Sequence, residues 1–169
     1  MDAMDTILTR RSIRRYTADR VSEELITAVL EAAMSAPSAG NQQPWHFVVI
    51  DDRALLDQVP LFHPHTAMLK EAQVAILVCG DPDLEKHPGY WPQDCAAATQ
   101  NLLLAAHAAG LGAVWTGFYP REERVVAMRK LLNMPDRVIP FALVPVGWPA
   151  EEKPPALRYD KARVHTNGW

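Results

Sequence analysis

Four arginines and a serine crowd into the six-residue run Arg10 to Arg15. A guanidinium is permanently charged, and its paired donors match the oxygen atoms of a phosphate. Arg10, Ser12 and Arg14 can therefore converge on one terminal phosphate. The alternative is a solvated basic surface paired with nearby aspartates such as Asp5, and composition alone favours neither interpretation.

A second polar stretch is the turn-rich sequence APSAGNQQPW at residues 36–45. Ser38, Asn41 and the two glutamines that follow supply hydroxyl and amide groups that can hydrogen-bond the edge of a heteroaromatic ring. Gly40 lets the backbone approach a flat ligand closely. The same composition is also typical of an ordinary turn beside a buried Trp45.

Composition excludes several classes of function. The chain has 169 residues, 49% of them hydrophobic, which predicts one domain spanning residues 1–169. A formal net charge of −3 gives no basic excess for a nucleic-acid partner. The sequence contains no secretory signal and no apolar run of membrane-spanning length, so we expect a cytoplasmic protein that makes no membrane contact.

The cysteines and histidines lack the spacing of ligand sets. Cys79 and Cys95 have no CxxC pattern and are expected to be free thiols in the core. The pair His63 and His65 has no carboxylate or cysteine at ligand spacing, so no metal site is predicted. Motifs typical of Rossmann, P-loop, hydrolase and zincin enzymes are also missing from the sequence.

Periodicity and capping residues predict the elements that must position the polar stretches. The predicted helices cover residues 2–10, 23–36, 53–59, 93–109 and 121–132. The predicted strands cover residues 46–50, 74–79, 113–116 and 138–146, and the two prolines of the last one favour an edge or a bulge. Residues 149–169 are proline-rich and charged, so this tail needs a surface to lie on and is a candidate arm toward a second subunit.

Taken together, the two polar stretches resemble the opening signature of the FMN-binding nitroreductase family, in which RRSIR is followed about 25 residues later by PSAGNQQPW. Further segments resemble the family in the same order, and the likeness covers essentially the whole chain. These segments are VAILVCGD, an alanine-rich central helix, GAVWTG, VGWP and KPPALRYDKARVH.

The resemblance implies a set of cofactor-binding residues. The residues implied to hold the FMN phosphate and ribityl chain are Arg10, Arg11, Ser12 and Arg14. The residues implied to come from a loop of the partner subunit are Pro37, Ser38, Ala39 and Asn41. In the same way, Thr116 and Gly117 are expected beside the reactive flavin N5, and Arg158 is expected to return to the phosphate.

One segment departs from the family pattern. Many classical nitroreductases carry an asparagine and a lysine near the flavin pyrimidine, and the matching stretch here, HPHTAM at residues 63–68, has neither. Iodotyrosine deiodinase-like relatives also share RRSxR and a threonine near N5. The family is therefore better defined than the substrate.

The resemblance implies an α+β fold, with a central mixed, largely antiparallel sheet flanked by helices. It also implies a homodimer formed through long helices and an exchanged C-terminal arm. The implied activity is hydride transfer from NADH or NADPH through FMN to a small electron-poor acceptor, a nitroaromatic or a quinone, by ping-pong kinetics. No protein group is expected to act as an obligatory acid or base. The alternatives are a flavin-dependent dehalogenase or metabolite dehydrogenase of the same fold, or a flavin-binding dimer without turnover.

Overall fold

A five-stranded sheet forms the centre of the protein, whose computed structural model describes all 169 residues. The strands are β1 (Trp45–Ile50), β2 (Val74–Gly80), β3 (Gly112–Ala113), β4 (Thr116–Gly117) and β5 (Ile139–Gly147). They lie in the order β1-β2-β5-β3, and β4 also pairs with β5. All of these strand pairs are antiparallel, and a single bridge between Ser12 and Ala113 is parallel. The predicted α+β class and the largely antiparallel sheet are confirmed.

Five α-helices flank the sheet. They are α1 (Ala3–Thr9), α2 (Glu23–Met34), α3 (Arg53–Gln58), α4 (Trp91–Ala108) and α5 (Glu122–Leu132). The side chains of Asp2, Ser22 and Asp52 accept backbone N–H groups in the first turns of α1, α2 and α3, as expected of N-caps. Gly110 adopts a φ of +80° just beyond α4, which confirms it as the residue that ends this helix.

One strand prediction needs correction, and for another the structure selects one of the two predicted alternatives, a bulge rather than an edge. The strand predicted at residues 113–116 is two short strands, β3 and β4, separated by Val114 and Trp115. β5 is not an edge strand, because it lies between β2 and β3 and is almost entirely buried. Its prolines coincide instead with irregularities: the register against β2 shifts beside Pro140, and Pro145 falls between the residues that pair with β3 and those that pair with β4.

Alternate residues of β2 enter two different cores. Ile76 and Val78 pack with residues of α2 and α4, whereas Ala75 and Leu77 pack with residues of α3 and α5. Because both faces of the sheet are covered, β2 is a continuous apolar run without alternation. The free thiols predicted in the core are confirmed, since both cysteines are unpaired and buried.

The C-terminal tail lies outside these cores. The side chains of Leu157, Tyr159 and Trp169 are exposed by 102%, 83% and 104%, so large apolar groups in this segment contact little of their own chain. The helices of the protein are too short or too polar to cross a bilayer.

Candidate functional site

The arginine run begins at the C-terminal end of α1, where Arg10 is the C-cap residue and is half-buried. Burial, together with the nearby charges of Arg158 and Arg11, lowers the pKa of Arg10. Like charges are therefore gathered here, and none of these guanidiniums forms an ion pair with a carboxylate. The arrangement is one that an anion would stabilise.

Arg14 and Arg15 differ in their surroundings. Arg15 pairs with Glu71 at 2.9 Å between Nε and Oε1, on the surface of the protein. The side chain of Arg14 has no such partner and lines a cavity. The structure thus gives a physical difference between Arg14 and Arg15, since only Arg15 is paired with a carboxylate.

Arg11 is engaged with backbone rather than with solvent. Its Nε donates to the carbonyl of Pro154 at 2.8 Å, and its Nη1 donates to the carbonyls of Arg10 at 2.6 Å and Leu8 at 3.1 Å. Its Nη2 is buried without a hydrogen-bond partner. Arg11 therefore ties the base of the tail to the end of α1.

Two more contacts fasten the tail alongside the arginine run. Glu151 accepts the backbone N–H of Arg14 at 2.5 Å, and the Nζ of Lys153 donates to the carbonyl of Ser12 at 2.5 Å. Residues 151–154 consequently lie against the run within one chain, and the segment that follows carries Arg158 to the vicinity of Arg10.

A cavity of about 470 Å³ opens next to Arg14. Its lining residues are Arg14, His63, Pro64, His65, Ala67, Met68, Trp115, Thr116, Gly117 and Arg124. A Cβ atom at Gly117 would have no neighbour within 4 Å, so this residue borders open space. Thr116 donates its hydroxyl to the carbonyl of Leu143 at 2.6 Å, and its proton is therefore committed inside the sheet.

The loop after α2 is built around a buried carboxylate on α4. Asp94 accepts the backbone N–H of Ala39 at 3.0 Å and the side-chain amide of Gln42 at 2.7 Å. The other end of the Gln42 amide accepts the backbone N–H groups of Lys86 and His87. This network fixes the loop that includes Pro37.

Polar side chains of the loop are also occupied locally. The Ser38 hydroxyl accepts the backbone N–H of Gln43 at 3.0 Å, and the Asn41 side chain accepts the Gln43 amide at 2.9 Å. Gly40 has a φ of +53°, and a Cβ there would lie 2.5 Å from Nε2 of His87. Both the left-handed conformation and the close approach of His87 favour a glycine at this position.

The arginine run and the loop lie at opposite ends of α4. Thr9, beside the run, hydrogen-bonds His107 at 2.9 Å, whereas the loop is fastened to Asp94. Thirteen residues of helix separate these two anchors, a rise of about 20 Å. No loop residue lines the cavity. The structure therefore brings together the residues near the end of α1, which are Arg10, Arg11, Ser12 and Arg158. It also brings Arg14 together with Thr116 and Gly117 at the cavity. The four loop residues predicted to bind the cofactor lie apart from both groups, and they are Pro37, Ser38, Ala39 and Asn41.

Three residues that sequence reasoning missed contribute to this geometry. Asp94 was detectable, because it is the one charged carboxylate in a helix rich in alanine and leucine. His63 was considered only as half of an HxH pair, and nothing in the sequence around Arg124 indicates that its side chain reaches a cavity. These last two depend on contacts between segments distant in the sequence.

The residues present fit a phosphorylated, flat cofactor. Unpaired guanidiniums at Arg10 and Arg158 suit a terminal phosphate, and the open space beside Gly117 suits the close approach of a ring to backbone.

Comparison with known proteins identifies the family. The model of the Nitroreductase family matches residues 7–76 and 63–148. The chain belongs to the nitroreductase family. It is accordingly a nitroreductase-family oxidoreductase.

Individual relatives of this nitroreductase-family chain match most or all of its length. A protein from Methanothermobacter thermautotrophicus, provisionally named NADH dehydrogenase/NAD(P)H nitroreductase, is 52% identical over 100% of this chain and 88% of its own. An iodotyrosine deiodinase from Haliscomenobacter hydrossis is 30% identical over 92% of this chain and 83% of its own. A provisionally named nitroreductase from Desulfovibrio desulfuricans, solved in complex with FMN, superposes with a TM-score of 0.86 at 34% identity, over 100% and 99% of the two chains.

Proposed function

We propose that this protein is an FMN-dependent NAD(P)H:acceptor oxidoreductase that reduces a small electron-poor acceptor, a nitroaromatic or a quinone, with ping-pong kinetics. Bound FMN would supply the redox chemistry, accepting a hydride from NADH or NADPH and passing two electrons to the acceptor. In the overall reaction with a quinone, NAD(P)H, a proton and the quinone give NAD(P)⁺ and a hydroquinone. We further infer that residues 1–169 form one FMN-binding domain that acts in the cytoplasm.

The observation that carries this proposal is a group of arginines without carboxylate partners, one of which, Arg14, lines a cavity bordered by open backbone at Gly117. Arg15 shows the purely structural alternative, because its guanidinium pairs with the carboxylate of Glu71 on the surface. Arg10, Arg14 and Arg158 do not. Their charges are most simply explained by the FMN phosphate, and the similarity to an FMN-bound relative supports the same cofactor.

In the proposed site each group of residues has its own task. Arg10, Arg14 and Arg158 would neutralise the phosphate, and the Ser12 hydroxyl would add a neutral donor. Arg11, whose donors are mostly engaged, would contribute chiefly by holding the tail that carries Arg158. We expect no protein group to act as an obligatory acid or base in the transfer.

Thr116 and Gly117 would border the reactive edge of the ring. Because the Thr116 proton is committed to Leu143, its hydroxyl can only accept further hydrogen bonds. Any donor that Thr116 and Gly117 offer to the ring must therefore be a backbone N–H. Fixed backbone donors of this kind stabilise charge that develops during transfer without reorganising.

A homodimer would complete the site. The loop with Ser38 and Asn41 is remote from the arginines of its own chain, so we propose that it reaches the arginines of a second subunit. The exposed apolar side chains of α1 support such an interface, since Met4, Ile7 and Leu8 are 61%, 51% and 61% exposed. The exposed apolar groups of residues 149–169 and the unpaired outer edge of β1 support an exchanged arm.

The test is a spectrum of the purified protein before and after anaerobic addition of NADH or NADPH. We expect a yellow protein that releases FMN on heating. Its visible absorbance should be lost when NADH or NADPH is added and should return when one equivalent of a quinone is added. Chromatography of the released cofactor distinguishes FMN from FAD. A colourless protein that does not take up FMN would contradict the proposal.

Product analysis separates the alternatives. Release of iodide from an iodotyrosine would indicate a dehalogenase, which the similarity to an iodotyrosine deiodinase makes the first alternative to assay. Bound FMN that neither NADH nor NADPH can bleach would indicate a flavin-binding dimer without turnover.

A further inference from the structure

Two side chains on the cavity wall, His63 and Arg124, converge on a single carbonyl. Arg124 lies in the first turn of α5, and its Nη1 donates to the carbonyl of Gly117 at 2.9 Å. The Nε2 of His63 lies 2.8 Å from the same oxygen and 3.4 Å from the Arg124 nitrogen. The proposed function assigns neither residue a task.

The hydrogen bonds of His63 define its protonation. Its Nδ1 accepts the backbone N–H of His65 at 3.3 Å, so the proton must lie on Nε2 and be donated to Gly117. The ring is 1% exposed and packs on Phe118 with centroids 4.9 Å apart. Burial lowers the pKa of His63, and the charge of Arg124 lowers it further. These contacts favour a neutral His63 whose Nε2–H fixes the position of the Gly117 carbonyl.

With the Gly117 carbonyl fixed, the hydrogen bond that it accepts from Arg124 holds a positive charge at the wall of the cavity. The lining residues include no aspartate or glutamate, and Arg124 forms no ion pair. Only Nη1 of its guanidinium has a protein partner within hydrogen-bonding distance. A partly buried guanidinium without a carboxylate is costly unless an electron-rich group faces it.

The occupant proposed for this cavity becomes electron-rich during turnover. A hydride carries two electrons and one proton, so its transfer from NAD(P)H leaves NAD(P)⁺ and adds one negative charge to the neutral ring. A cation held at the wall interacts more favourably with the reduced ring than with the oxidised ring. Such a difference in affinity is equivalent to a higher reduction potential.

We propose that Arg124, held in place by His63 through the Gly117 carbonyl, is a further flavin-binding residue that favours the reduced cofactor and raises its midpoint potential. This inference rests on the proposed function, because it requires FMN in the cavity. Arg124 would act on the ring, whereas Arg10 and Arg158 act on the phosphate.

The experiment compares Arg124→Gln with the wild-type holoprotein. The midpoint potential is measured by equilibration with a reference dye, and the Kd of oxidised FMN by titration of the apoprotein. We expect affinity for the reduced cofactor to fall about tenfold more than affinity for the oxidised cofactor, which lowers the midpoint potential by about 30 mV. Arg121→Gln is the matched control, because Arg121 is exposed, is the N-cap residue of α5 three positions before Arg124 and does not line the cavity. Its midpoint potential should equal that of wild type.

The outcomes separate this inference from the proposed function. A wild-type protein without affinity for FMN would contradict the proposed function itself. If FMN binds but Arg124→Gln leaves the potential unchanged, or Arg121→Gln changes it equally, the role of Arg124 is wrong. If Arg124→Gln does not retain FMN, the deciding variant is Arg124→Lys. This variant keeps the positive charge and should keep the midpoint potential near that of wild type. If it instead loses tenfold more affinity for reduced FMN than for oxidised FMN, the inference is overturned.

Discussion

The separation of the arginine run from the loop leads to a complementation experiment. One variant carries Arg10→Ala and Arg14→Ala, and the other carries Ser38→Ala and Asn41→Ala. Each charge-assisted contact to the phosphate contributes about 1.5–3 kcal/mol, so the first variant should lose at least roughly a hundredfold in FMN affinity. The second loses neutral hydrogen bonds and forces alanine into the left-handed backbone of Asn41, whose φ is +54°.

The structure sets the size of the recovery when the two variants are mixed. The anchors of the run and of the loop are about 20 Å apart along α4, so an intact site in a dimer takes the run from one subunit and the loop from the other. A heterodimer then has one site with both lesions and one site with none. Random exchange makes about half of the dimers heterodimers, so roughly a quarter of all sites should bind FMN normally.

The assay uses two affinity tags to isolate heterodimers after subunit exchange, followed by FMN titration with the quenching of flavin fluorescence. We expect one FMN per heterodimer at a concentration that leaves both parent homodimers empty. Exchange of two differently tagged copies of the arginine variant is the control and should restore no binding. Heterodimers that remain empty would refute the reasoning, because sites built within single subunits would all carry a lesion.

Two further predictions concern the arginine run and the tail. Arg14→Ala should weaken FMN binding roughly 10- to 100-fold, whereas Arg15→Ala, which removes a surface ion pair, should change FMN binding little. Equal effects of the two changes in a flavin titration would indicate that the overall positive charge of the run, not a specific phosphate contact, binds FMN. Deleting Arg158 to Trp169 removes one phosphate contact and the proposed exchanged arm, so FMN occupancy and dimer stability should both fall. Sedimentation of the truncated protein across a concentration series, with flavin content measured in parallel, checks both; an unchanged dimer with full FMN occupancy would contradict the proposed arm.

Most helix and strand positions could be predicted because they depend on local chemistry. The N-cap residues Asp2, Ser22 and Asp52 and the C-terminal Gly110 mark helix ends through contacts a few residues away. The place of β5 could not be predicted in this way. Prolines are generally confined to edges and bulges, but which of these applies depends on where the neighbouring strands are interrupted.

The sequence by itself determined the family, through two motifs whose order and spacing are seldom matched by chance, and the candidate residues within those motifs. It selected Arg14 over the adjacent and chemically identical Arg15, but it gave no physical reason for their difference. The tertiary structure decided this by pairing Arg15 with Glu71, 56 residues away, and turning Arg14 toward the cavity. It also placed Arg124 on that cavity. Such contacts between distant segments are set by packing of the sheet and helices, because no local pattern specifies which side chains meet across the fold.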